Sequence, residues 1–196
     1  MSFASIERRA IFRRALVNSL PVMMGYLTMG FAAGVLLAVK AQVPFAPLWS
    51  ALIALCVVSG TFSFAVVPAI AASDPFYSVA ALTLAVNFRY AFYGFSVLGR
   101  WRGIPLLQKW FLVHTLADEI FALDVACRIP DPRKNRFYCL WNHTLCTGYW
   151  VAGSVAGSAA GTALPIPSRG IEFAMAALFL VIFTDQMKGL RKRHVH

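Results

Sequence analysis

Between Arg14 and Lys40 this chain runs 25 residues without a charged side chain, between Lys40 and Asp74 it runs 33, and between Arg136 and Arg169 it runs 32. About 20 such residues wound as α-helix cross the ~30 Å hydrocarbon layer of a bilayer. Two further stretches are nearly as apolar. Residues 75–99 carry only Arg89, and 104–127 embed His114, Asp118, Glu119 and Asp124. A last one, 170–187, has Glu172 and Asp185 near its ends. The pattern predicts an all-α polytopic membrane helix bundle of about six transmembrane helices. Its organisation is a basic cytoplasmic segment (1–15), a transmembrane domain (16–187) and a basic cytoplasmic tail (188–196). Composition excludes the alternative of a water-soluble domain. Of the 196 residues, 59% are apolar and 13% charged, against about 45–50% and 25% in soluble domains, and so small a chain cannot bury that much apolar surface in its own core.

The formal charge of +10 would suggest nucleic acid on a soluble protein. Here the basic residues cluster at the ends of apolar runs, without a basic stripe interleaved with stacking aromatics. They read as orientation signals. Six spans with a cytoplasmic N-terminus place 12 of the 18 Lys and Arg residues inside and five outside, with Arg89 within a span. If the second segment did not cross, 8 would lie inside and 9 outside. Both termini are therefore expected in the cytoplasm. The start has a basic flank but no small-residue cleavage site, and reads as retained. Cys56, Cys127, Cys139 and Cys146 lie in or beside apolar segments and form no disulfide framework.

Small residues mark close helix contacts. Gly153, Gly157 and Gly161 recur every four residues, as do Gly30, Gly34 and Ala38, so each set makes a smooth stripe along one helix. In lipid such stripes let backbones approach until dispersion holds them. They pack helices within the chain or form a subunit interface.

Intramembrane charge is costly and needs a partner or a watery cavity. Arg89 on one span and Asp118 and Glu119 on the next, antiparallel span fall at similar depth. One acid can pair with the guanidinium. The other is left to carry a proton or meet an ammonium group. The competing reading is a fixed ion pair that sets helix register. His114, four residues before Asp118, lies on the same helical face, and can relay a proton or be a satisfied structural histidine. Ser59 and Gly60, in the run Ser59-Gly60-Thr61-Phe62-Ser63, interrupt the second span. A half-helix starting there frees backbone N–H groups that suit a carboxylate, unless the pair serves ordinary packing. Thr147 and Gly148, with Asn142 and His143 before them, are a corresponding weak point in the fifth segment. Matching breaks would fit an inverted three-helix repeat with a midplane site.

Enzyme signals are thin. Cys139, His143 and Cys146 share a helix face but supply only three ligands, so no metal is assigned. Nothing marks His114 or His143 as a base for Ser63. No cofactor is implied.

Three blocks resemble one family. Asn87-Phe88-Arg89-Tyr90-Ala91-Phe92-Tyr93-Gly94-Phe95-Ser96 resembles the AzlC pattern Asn/Asp-x-Arg-His-x-x-Tyr-Gly-x-Ser, with Tyr90 in place of the usual histidine. Asp118-Glu119-Ile120-Phe121-Ala122 resembles its Asp-Glu-x-Phe-Ala block, and Glu172-Phe173-Ala174-Met175-Ala176-Ala177-Leu178-Phe179 its late Pro-Ala-Leu-Phe helix. The resemblance extends over roughly residues 18–190. It implies a permease subunit of the bacterial inner membrane that exports branched-chain or similar small apolar amino acids. It further implies an ion gradient as the energy source and a small multi-span partner of the AzlD type. By carry-over it singles out Arg89, Tyr93, Asp118 and Glu119. The chain has no Walker motif. The alternative is a non-transporting regulatory or assembly subunit, a shortened relative of the family.

Overall fold

The computed structural model describes residues 3–101, 103–127 and 129–164, together with Phe173. All regular structure among the described residues is helical. The helices are α1 (Phe3–Leu36), α2 (Ala46–Cys56), α3 (Gly60–Ala71), α4 (Phe76–Asn87), α5 (Arg89–Leu98), α6 (Leu106–His114), α7 (Asp118–Ala126) and α8 (Pro132–Ala163). A π-helical turn, Leu37–Ala41, extends α1. The combined helix Glu7–Ala41 is long and apolar enough to cross a membrane. Arg8, Arg9, Arg13 and Arg14 lie on α1 itself. Apart from Phe173, the expected sixth segment and the basic tail fall outside the described residues.

The core of the molecule is the pair α1 and α8, which run parallel. Leu27 meets Gly153 and Phe31 meets Gly157, a constant offset along both helices. The two small-residue stripes face each other. A Cβ on Gly153 would come within 2.7 Å of the Leu27 carbonyl oxygen, and one on Gly161 within 3.2 Å of Val35 Cα. Gly34 lies against the Ser154 carbonyl and Gly157 against that of Phe31. Helix α8 starts where its sequence says it should. Pro132 occupies the first turn and the Asp131 carboxylate accepts from the amides of Arg133 (2.8 Å) and Lys134 (3.4 Å). The Ser50 hydroxyl ties α2 to this pair by donating to the Ser154 carbonyl at 2.9 Å.

The second and fourth apolar segments are each broken near the middle, by different local chemistry. Between α2 and α3, Val57 is extended (φ −130°, ψ 91°) and the Ser59 amide donates to the Val57 carbonyl at 2.8 Å. The Ser59 hydroxyl then accepts from the Phe62 amide at 3.3 Å, so this serine caps the new helix. Between α6 and α7, the Thr115 hydroxyl donates to the Phe111 carbonyl at 2.8 Å, a side-chain bond that competes with the helix ladder. Ala117 is extended (φ −119°, ψ 170°), and α7 begins with two acids in its first turn, where the helix dipole favours them.

The break expected at Thr147 and Gly148 is not there: α8 is continuous through both. One glycine costs a helix only about 1 kcal/mol relative to alanine, which the packing along α8 outweighs. The second and fourth segments are thus broken by extended backbone and the third is interrupted by a turn at Phe88 between α4 and α5, and none of these positions supplies the matching break of an inverted three-helix repeat. Large apolar side chains point outward on several helices, including Phe76, Leu84, Phe95, Leu107 and Trp110. An exposed apolar surface of this kind suits contact with lipid or with another protein.

Candidate functional site

The two breaks meet around one small, partly open cavity of about 50 Å³. Ser59, Gly60 and Thr61 at the start of α3 line one side, and Ala117, Asp118 and Glu119 at the start of α7 line the other. Met29 and Val58 supply apolar wall, and Tyr26, Tyr90 and Trp150 fill the remainder. Of the residues singled out from the sequence, Ser59, Gly60, Asp118 and Glu119 therefore come together.

The two sides are chemically opposed. The α3 side is a helix start with no acidic residue in its first turn, so its amide dipoles present partial positive charge. The α7 side carries two carboxyl groups. Aromatic hydroxyls hold both sides in place. Tyr26 donates to Glu119 Oε2 at 2.9 Å, and Tyr90 donates to Ser59 Oγ at 3.2 Å. Trp150 packs edge-on against Tyr26, with ring centroids 5.8 Å apart, and its buried indole N–H has no hydrogen-bond partner among the described residues. A donor left this way beside a cavity suits a ligand acceptor or a water.

The other candidates lie elsewhere. Arg89 opens α5, immediately before the cavity-lining Tyr90, and its side chain is outside the described set. Tyr93 stacks on Phe121, centroids 4.8 Å apart and planes 18° from parallel, and does not line the cavity. His114 ends α6, so the break removes the helical spacing that would have put it on the face of Asp118. It is exposed and its Nε2 lies 2.7 Å from the Leu55 carbonyl. An N–H there donates to one of the unpaired carbonyls in the last turn of α2. The glycine stripes belong to the α1–α8 contact, with Gly60 the one cavity glycine near it, 3.4 Å from the Trp150 ring if given a Cβ.

Sequence reasoning missed Tyr26, Tyr90 and Trp150. The signal for two of them was present: Tyr26 precedes Gly30 by four residues and Trp150 precedes Gly153 by three, so both flank the close-packed stripes. It also missed a second polar cluster. Asp124, Asn142, His143 and Thr115 are all buried. Asn142 Nδ2 donates to Asp124 Oδ1 at 2.9 Å, and His143 Nε2 lies 3.0 Å from Asp124 Oδ2. All four cysteines are free thiols, and no group of three or more His, Cys, Asp or Glu among the described residues is placed to hold a metal ion.

Comparison with known proteins supports the reading of the motifs. The family described as AzlC protein matches residues 21–164. An uncharacterized membrane protein of Haemophilus influenzae is 36% identical over 173 residues, 87% of this chain and 69% of that protein. The branched-chain amino acid transport protein AzlC of Bacillus subtilis is 28% identical over 185 residues, 94% of this chain and 71% of that one. The inner membrane protein YgaZ of Escherichia coli is 27% identical over 187 residues, 87% of this chain and 71% of that one. No solved structure matches the chain. With the family match spanning most of its length and its broken, outwardly apolar helices, this chain belongs to the AzlC family of membrane proteins.

Proposed function

We propose that this chain is a polytopic permease subunit of the bacterial inner membrane that moves branched-chain or similar small apolar amino acids outward as a carrier, without covalent chemistry. One observation carries the reading: a single cavity is bounded by a helix start without an acidic residue on one side and by two acids on the other. A zwitterion needs that pairing. Its carboxylate goes to the first turn of α3 and the indole N–H of Trp150, and its ammonium to Asp118 or Glu119. Met29 and Val58 then face the aliphatic side chain. The B. subtilis relative's name agrees with this substrate class.

The cavity volume of about 50 Å³ suits a few waters, and is well below the roughly 300–1,000 Å³ of small-molecule sites. Substrate entry therefore requires the two breaks to part, which non-helical backbone at membrane depth is suited to do. The parallel run of α1 and α8 supports crossing in one direction by the first and fifth spans; the proposed orientation, from the distribution of basic residues, has both termini cytoplasmic. A small multi-span partner of the AzlD type completes the proposed carrier, which draws on an ion gradient.

The test is efflux of labelled valine and leucine from vesicles, with this chain alone and with such a partner. Saturable efflux in either condition is expected. Vesicles no leakier than empty ones in both conditions would sink the permease reading and leave a regulatory or assembly role.

A further inference from the structure

Asp124 is only 3% exposed, while His143 and Asn142 are fully buried. The Arg100 guanidinium reaches this region, but its Nη1 donates to the Asp124 main-chain carbonyl at 2.8 Å and not to the carboxylate. The carboxylate contacts are the Asn142 amide and the His143 ring, with the Cys139 thiol also against it. On the far side of the ring, His143 Nδ1 is 2.7 Å from Thr115 Oγ1, which is also 2.8 Å from the Phe111 carbonyl oxygen.

Thr115 has one hydroxyl hydrogen and two neighbours that can take it. If the hydrogen points to Phe111, the oxygen must accept from Nδ1–H. With Nε2–H donating to Asp124, the ring is then an imidazolium beside a carboxylate, and the pair is neutral. If the hydroxyl turns to Nδ1, the imidazole is neutral, Nε2–H still donates to Asp124, and the pair carries one negative charge. Every group in the chain is hydrogen-bonded in both states. They differ by one proton and one rotation of Thr115. A buried network satisfied in only one state resists titration, because the other leaves an orphan. This one has no orphan in either.

The rotation has somewhere to act. Thr115 is the first residue of the α6–α7 break, and its own amide also donates to the Phe111 carbonyl at 3.0 Å. Turning the hydroxyl toward His143 removes one of two bonds that pin the last turn of α6. Ala117, Asp118 and Glu119, two to four residues on, line the cavity. We propose that Asp124, His143 and Thr115 form one proton-binding site whose occupancy sets the α6–α7 break. Given the permease reading on which this part rests, it is also the site that couples a proton to amino-acid flux. The step is binding alone: a proton joins the dyad, its charge goes from −1 to 0, and the same proton leaves on return.

The charged and titratable groups around the dyad come from every neighbouring element. They are Arg100 before α6, Glu119 on α7, Cys127 after it, and Tyr138, Cys139 and Cys146 on α8. Trp101 closes the ring's edge, with centroids 5.9 Å apart.

Infrared difference spectroscopy of the purified protein in lipid, stepped between about pH 8 and pH 5, tests the site directly. Acidification is expected to give imidazole bands that lose one component in H143Q, with that component altered in both D124N and T115V. A spectrum identical in wild type and H143Q overturns the proposal, and so does one that D124N and T115V both leave unchanged. In vesicles, H143Q and D124N are expected to lose the pH dependence of valine efflux while keeping valine exchange at equal pH. A mutant that retains the wild-type pH profile overturns the coupling role. Wild-type vesicles without flux refute the permease reading and with it the coupling role, while the infrared result decides the proton site on its own.

Discussion

Helix α8 has two sides, and the molecule differs across them. Toward α1 it presents Gly153, Gly157 and Gly161, and backbone meets backbone with no charged group between. Toward the broken helices it presents Asn142, His143 and Trp150, and the contacts are side-chain hydrogen bonds around a cavity and a buried acid. At its glycines the first contact has little slack, because what most of them meet is backbone. The second is built from rotors such as Tyr90, Thr115 and Ser59, whose hydroxyls hold it together. One helix thus anchors a rigid half and a half that can rearrange, which suits a protein whose cavity must enlarge before it can be filled.

The sharpest way to break that contrast is to add one methyl group on each side. G157A sets a Cβ against the Phe31 carbonyl and G34A sets one against Ser154. With only backbone to yield, each is expected to lose about 1–3 kcal/mol or more through overpacking. G148A, on the same helix with nothing within 4 Å, is expected to be neutral or to gain up to about 1 kcal/mol from helix propensity. Thermal melting in detergent checks all three. Equal melting of G157A and G148A would show that the α1–α8 contact yields to a methyl group as readily as open surface does.

On the cavity side, E119Q keeps the shape and an acceptor for Tyr26 but removes the charge. A charge-assisted hydrogen bond contributes about 1.5–3 kcal/mol, so the valine concentration needed for half-maximal efflux is expected to rise roughly 10- to 100-fold. Melting should move little. D118N is the matched comparison, and the carboxylate that holds the ammonium is the one whose loss has the larger effect. If neither changes efflux, the acids have no part in substrate binding.

How much of this was legible in the sequence follows the same division. The rigid side was written in a four-residue period, and a period survives any change in neighbouring structure. Ser59 and Gly60 also declared their break, because a serine hydroxyl that can cap a helix is a local property. The break at residues 115–117 was not local. Thr115 is an ordinary helix residue until its hydroxyl turns to Phe111 and His143, and His143 arrives from 28 positions away. Counting His114 and Asp118 along one unbroken helix therefore placed His114 on the wrong face. Asp124 was visible as a charge in an apolar run, but its partners Asn142 and His143 come from another helix. Tyr90 could be seen only as a departure from the family's histidine, and its hydroxyl reaches Ser59, 31 residues away.

His114 sharpens the comparison between the two breaks, since it bridges the end of α6 to the last turn of α2 through the Leu55 carbonyl. H114A is expected to cost about 0.5–1.5 kcal/mol, the worth of one hydrogen bond. If the two half-helices move as a unit, the same change should alter the rate of valine exchange without altering its pH dependence. A flattened pH profile in H114A would instead transfer the proton-carrying role from His143 to His114.

The smallest effect belongs to the polar mouth of the rigid side, where Lys134 Nζ donates to Glu7 Oε1 at 2.8 Å. Both residues precede the uncharged stretches of their helices, and both are largely exposed. The bond to Glu7, with that carboxylate's charge, raises the Lys134 ammonium above its ordinary value of 10.5. A group raised on folding stabilises fully below its unfolded value and loses that contribution as pH climbs through its folded one. The pair therefore contributes throughout the neutral range and fades above about pH 10.5. Exposed pairs are weak and screened by salt, so E7Q is expected to shift melting slightly at low salt and not at all at high salt. Were E7Q to melt as far below wild type as G157A does, the α1–α8 contact would depend on its charged mouth more than on its glycines.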